Sequence, residues 1–117
     1  MTSNLDEKGL RSIVEEYDVF FIDIWGVLHN GFNLFENSVE VLEKLEKNKK
    51  QYVLLTNAPR PNLTVIEYLK KMGLDEKKAQ QVYTSGQAAL DQLKTMNSKN
   101  FFHIGPPRDF DLFKTFE

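Results

Sequence analysis

Four short apolar runs, "VFFID", "QYVLLT", "QVYT" and "NFFHIG", recur along the chain with helix-spaced amphipathic segments between them. This alternation restricts the fold more than any other feature, because strands that alternate with helices pair in parallel through βαβ crossovers. The first run, residues 18–25, is too continuously apolar for a half-exposed strand and reads as a central strand buried on both faces. The expected architecture is α/β, a Rossmann-like parallel sheet with flanking helices, in one domain.

The helical segments follow from spacing and punctuation. Leu10, Ile13, Val14 and Tyr17 recur at helical intervals, which predicts an amphipathic helix over about residues 4–16. Asn37 with Glu40 resembles a capping box, ahead of a buried stripe of Val41, Leu42 and Leu45. A third helix is expected from Pro61 to Met72, with Gly73 as its stop and Val65, Leu69 and Met72 on its inner face. Ser85-Gly86 reads as turn and cap before a helix carrying Ala89, Leu90 and Leu93. "PPRDFDLFKTFE" reads as a turn and a short helix.

The strands end in polar or small residues: Asp23, Thr56-Asn57, Thr84-Ser85-Gly86 and Ile104-Gly105. In open parallel sheets the crevice outside the carboxyl ends of the strands is where ligands bind. Asp23 could cap the loop that follows, but "GVLHNG" starts no helix, which weakens that reading. A carboxylate beside Thr56 can instead serve as a nucleophile, a magnesium ligand, or both. Thr56-Asn57 alone would be an ordinary turn former. Next to an acid, the hydroxyl and free main-chain N–H groups make a pocket for phosphate oxygens. His29 is expected in a loop facing solvent or the crevice, and His103 inside a strand with a structural role.

Composition removes several alternatives. A formal charge of −2 gives no electrostatic footprint for nucleic acid. The absence of cysteine removes disulfides, thiol nucleophiles and thiolate zinc sites, and two histidines are too few for a histidine metal cluster. No apolar run approaches ~20 residues and "MTSNLDEKGL" has no signal-peptide core, so the expectation is a cytoplasmic protein without a membrane association.

"DIWGVLHNG", followed about thirty residues later by "VLLTNAPRP", resembles the haloacid dehalogenase (HAD) superfamily. More narrowly it is similar to the subclass IIA branch of 4-nitrophenyl phosphatases and sugar, nucleotide and pyridoxal phosphate phosphatases. The resemblance runs from Val19 to about Gly105 and takes in "VYTSGQAALDQL" and "FFHIG". It implies that Asp23 attacks phosphorus and forms an aspartyl-phosphate. It also implies Mg²⁺ held by Asp23 and the main-chain carbonyl of Trp25. Thr56 and Asn57 would bind the phosphoryl oxygens, and His29 and Asn30 would belong to a substrate loop beside the active site. The implied substrate is a small phosphorylated metabolite.

The chain departs from that pattern in two ways. Phosphatases of this superfamily usually carry an aspartate two residues after the nucleophile as general acid, where this chain has Trp25. An indole cannot cycle a proton, and losing a positioned general acid typically costs ~10²–10⁴ in rate. The superfamily's later lysine, acidic pair and cap domain have no counterpart here, so 1–117 is expected to be one incomplete HAD-like core. Residues of about 99–117 read as the start of a cap or the last strand of this partial core. Two functions stay open: a magnesium-dependent phosphatase-type hydrolase, or a non-catalytic phosphometabolite- or metal-binding module. A phosphoacceptor signalling domain fits less well, because Asp18 and Asp23 stand a whole strand apart. An incomplete sheet leaves an open edge and uncovered apolar surface, which predicts a homodimer or marginal stability.

Overall fold

The computed structural model describes residues 4–116. Three parallel strands, β1 (Val19–Asp23), β2 (Gln51–Thr56) and β3 (Val82–Thr84), form one sheet in the order β1-β2-β3. Helix α1 (Glu36–Lys47) connects β1 to β2. Helices α2 (Asn62–Lys71) and α3 (Glu76–Ala79) connect β2 to β3, and α4 (Ser85–Lys94) follows. The strand–helix alternation thus becomes the α/β fold that the sequence predicts.

One face of the sheet makes the core. Phe20 and Ile22 of β1 pack with Tyr52 and Leu54 of β2 and Val82 of β3. Leu42 and Leu45 of α1, Ile66 and Leu69 of α2, and Ala79 of α3 cover them. Beside this core the buried Lys78 reaches Glu46 at 3.4 Å, and Glu46 accepts a hydrogen bond from the Tyr52 hydroxyl at 2.7 Å. Burial first, and then this carboxylate, push the Tyr52 phenol well above its ordinary pKa.

The other face is open, and here the structure corrects the sequence reading. β2, not β1, is the central strand. Val19, Leu55 and Tyr83 stand exposed, and Phe21 is 73% exposed. A continuous apolar run signals burial on both sides, but the described residues cover only one side of β1. Its second face and its free edge have no neighbour among them.

The termini also differ from expectation. Instead of a helix over 4–16 there are two 3₁₀ turns, Leu10–Ser12 and Val14–Glu16. Gly9 at φ 69° and Ile13 at φ −128° interrupt the helical path, while Leu10 and Val14 still pack against the core. "NFFHIG" forms no strand. It packs instead against the 3₁₀ segment Pro107–Phe116. Phe101 meets Phe116, and His103 meets Phe110 and Phe113, at ring distances of 5.1–5.2 Å. Phe102 is left 92% exposed.

Helix starts are shifted slightly. α1 begins one residue before Asn37, with Phe35 at the N-cap and no side-chain cap bond. The Ser38 hydroxyl donates instead to the Val27 carbonyl at 2.7 Å and ties the helix to the loop after β1.

Candidate active site

The loop after β1 decides what Asp23 is for. Val27, Leu28 and His29 all donate their N–H groups to the Ile24 carbonyl, at 3.2, 2.8 and 3.4 Å. Gly26, at φ 78°, donates to the His29 carbonyl at 2.8 Å. These amides are spent on main-chain oxygens, so the carboxylate of Asp23 caps none of them. It is left at the carboxyl end of β1, lining a shallow cleft of about 440 Å³ with Phe21, Leu55, Thr56 and Asn57.

Strand register makes this grouping informative. Asp23 pairs with Leu55, so strict alternation would send Thr56 to the opposite face. At the ends of the strands both residues nevertheless line one cleft. The Ala58 N–H donates to the Thr56 Oγ1 at 3.2 Å, which holds the hydroxyl oxygen and leaves its hydrogen available to a ligand.

Trp25 is placed differently. It is 62% exposed and is not among the residues lining that cleft. Its indole lies over Gly31, so close that a Cβ there would collide with Cη2 and Cζ3. His29 meets the indole edge-on at 5.2 Å. Contrary to the expectation that it would face solvent or the crevice, His29 is only 4% exposed. Its Nδ1 accepts the Gly31 N–H at 2.8 Å, and burial holds its pKa below the usual value. An accepting Nδ1 places the ring proton on Nε2.

Tyr68 of α2 completes the clasp by donating its hydroxyl to the Gly31 carbonyl at 2.5 Å, with its ring 5.8 Å from that of His29. Asn30, exposed at the tip, accepts from the Phe32 and Asn33 N–H groups at 3.0 and 2.8 Å. Sequence reasoning missed Tyr68, because it stands on the outer half of α2, where periodicity marks nothing.

The cap before α4 is Thr84, whose Oγ1 accepts the Gln87 N–H at 2.8 Å, rather than Ser85. Thr84 is fully buried. Ser85 reaches back to the loop after β2.

No group of three or more His, Cys, Asp or Glu converges among the described residues. That does not conflict with Mg²⁺, which keeps several waters and is usually held by only one or two protein carboxylates. The donor set fits such an ion. Asp23 presents a carboxylate uncommitted to the loop amides, and none of those amides donates to the Trp25 carbonyl.

A family described as haloacid dehalogenase-like hydrolase matches residues 20–116. The chain belongs to this family. No match is found among curated proteins. A solved HAD-like hydrolase from Brucella suis 1330 is 30% identical with a TM-score of 0.77, over 90% of this chain and 38% of that one. A putative NagD protein is 26% identical with a TM-score of 0.70, over 85% of this chain and 40% of that one. The 4-nitrophenylphosphatase of Thermotoga maritima shares the fold at a TM-score of 0.73 and 24% identity, over 89% of this chain and 40% of that one. The likeness to the putative NagD protein fits the subclass IIA branch. The chain spans about 40% of the length of these relatives.

Proposed function

We propose that this chain carries the nucleophile-bearing part of a magnesium-dependent phosphohydrolase site for a small phosphorylated metabolite. The observation that carries the reading is the Asp23 carboxylate, free of the loop amides and sharing one cleft with Thr56 and Asn57. In this reading an Asp23 oxygen attacks phosphorus and the bond to the leaving oxygen breaks, giving an aspartyl-phosphate. The leaving oxygen takes its proton from water, since Trp25 offers none. Water then attacks the same phosphorus, and the phosphorus–carboxylate bond breaks to release inorganic phosphate. The Thr56 hydroxyl and the Asn57 N–H donate to the phosphoryl oxygens as charge builds on them. Asp23 and the Trp25 carbonyl would hold Mg²⁺, which when bound offsets the repulsion between carboxylate and phosphate. Asn30 presents the tip of the substrate loop, and His29 supports it from behind. The reading puts the reaction in the cytoplasm, where phosphorylated metabolites are held, and leaves the exposed start of β1 around Val19, outside the cleft, as the surface for self-association.

A second reading, a phosphometabolite- or metal-binding module without turnover, is favoured by one observation. The indole of Trp25 lies on Gly31 instead of in the cleft, so the position of the usual general acid supplies no proton. Phosphate release from 4-nitrophenyl phosphate separates the two. Release that needs Mg²⁺ and disappears in Asp23→Asn supports the hydrolase. Full activity in Asp23→Asn removes Asp23 from the mechanism. Calorimetric binding of Mg²⁺ or inorganic phosphate without turnover supports the binding module.

A further inference from the structure

The loop after β2 is tied to the start of α4. Ser85 Oγ lies 2.9 Å from the Asn57 carbonyl and 3.0 Å from that of Ala58. The Gly86 N–H donates to the Ala58 carbonyl at 3.1 Å. The Thr84 hydroxyl donates to the Arg60 carbonyl while its oxygen accepts the Gln87 N–H. The Thr84 N–H donates to Asn62 Oδ1 at 2.9 Å, and the Asn62 N–H donates to Gln87 Oε1 at 3.2 Å. Gly86 lets the two segments meet, because a Cβ at that position would collide with the Arg60 backbone.

The direction of these bonds matters more than their number. The carbonyls of Asn57, Ala58 and Arg60 are all drawn toward the start of α4. Main-chain carbonyls repel an anion, and a pocket for phosphate oxygens needs N–H groups facing it. The Ala58 N–H goes to Thr56 Oγ1, and the Asn57 N–H has no main-chain partner among the described residues. The start of α4 therefore sets which way the peptide dipoles of this loop point.

We propose that Thr84, Ser85 and Gly86 are positioning residues that give the loop its anion-accepting polarity, a role that rests on the phosphate reading of Thr56 and Asn57. They touch neither substrate nor metal. They act by holding carbonyl oxygens on the side away from the cleft, so that the Asn57 N–H and the Thr56 hydroxyl face it without reorganisation.

The test uses the full chain labelled with ¹⁵N, titrated with inorganic phosphate in the presence of Mg²⁺, as wild type and as Ser85→Ala, Thr84→Val and Thr84→Ser. Phosphate-dependent shifts of the Asn57 and Ala58 amides give the affinity, and hydrogen exchange at Asn62 and Gly86 reports the grip on the loop. Ser85→Ala and Thr84→Val are expected to weaken phosphate binding roughly five- to tenfold, the equivalent of one net hydrogen bond, and to speed exchange by a similar factor. Thr84→Ser keeps the hydroxyl and should restore both, while β1–β2 ladder amides stay protected throughout. Faster exchange with unchanged phosphate affinity would make the contacts merely structural and overturn the proposal. Unchanged exchange in both disruptive variants would overturn it as well. A wild type without phosphate-dependent shifts refutes the phosphate reading itself, an outcome distinct from failure in the variants alone.

Discussion

Replacing Gly31 with alanine tests the clasp that holds the loop after β1. The new Cβ would sit far inside van der Waals contact with Cη2 and Cζ3 of Trp25. Ordinary carbon contacts need ~3.5–4 Å, so the indole must swing away by more than about 1 Å. That swing breaks its edge-on contact with His29, worth about 0.5–1.5 kcal/mol. The backbone at φ 94° adds a second cost of about 1–2 kcal/mol for any residue with a side chain. Together these give a loss of about 1.5–3.5 kcal/mol in a urea titration. The two parts separate in a double-mutant cycle. In a Trp25→Ala background the steric part has no target, and Gly31→Ala should cost only the backbone part, about 1–2 kcal/mol. An equal cost in both backgrounds, or a single-mutant loss under about 0.5 kcal/mol, would refute the clasp.

Further predictions concern the core, the C-terminal segment and the open face. Leu54 is fully buried at the centre of β2, and Leu54→Ala should cost about 2–5 kcal/mol by denaturant titration, against less than about 0.5 kcal/mol for the exposed Leu63→Ala. Burial alone would raise the pKa of Asp111, but hydrogen bonds from Arg60 and Thr64 and the nearby charges of Arg60 and Lys114 outweigh it and hold the group below its usual value. A depressed folded-state pKa contributes stability above the unfolded value of about 3.9 and loses it as pH falls through the folded value. The stability difference between wild type and Asp111→Asn should therefore be constant from pH ~5 upward and vanish at lower pH; a difference that grows with acidity would contradict this. Val19 stands in the uncovered face at the end of β1 away from the cleft, so Val19→Ser should move a sedimentation profile from dimer toward monomer and make the melting temperature less dependent on protein concentration. A wild type that is monomeric at every concentration would refute self-association through this face.

The legible part of the fold was the part set by local pattern. The apolar runs of β1, β2 and β3, the Pro61 and Gly73 boundaries of α2 and the gathering of Asp23, Thr56 and Asn57 at one edge follow from composition and periodicity. Residues 101–104 have the same apolar character but form no strand; Phe101 and His103 pack on the aromatic rings of residues 110–116, a tertiary contact that sequence pattern does not signal. Phe21 illustrates the same limit, since a run suited to burial on both sides is covered here on one. The clasp around Gly31 was hidden for another reason: His29, Tyr68 and Trp25 come together through tertiary contact, and nothing in their spacing signals it. Ser85 was visible as a polar residue at a helix start, yet its bonds run to a loop far away in sequence.

In the proposed function Asp23 is the group that attacks phosphorus. Incubation with Mg²⁺ and 4-nitrophenyl phosphate, borohydride reduction and peptide mass spectrometry would locate any acyl-phosphate as homoserine. Homoserine is expected at position 23 and none in Asp23→Asn. Phosphate release with the reduced residue elsewhere, or with no reduced residue at all, would contradict that role.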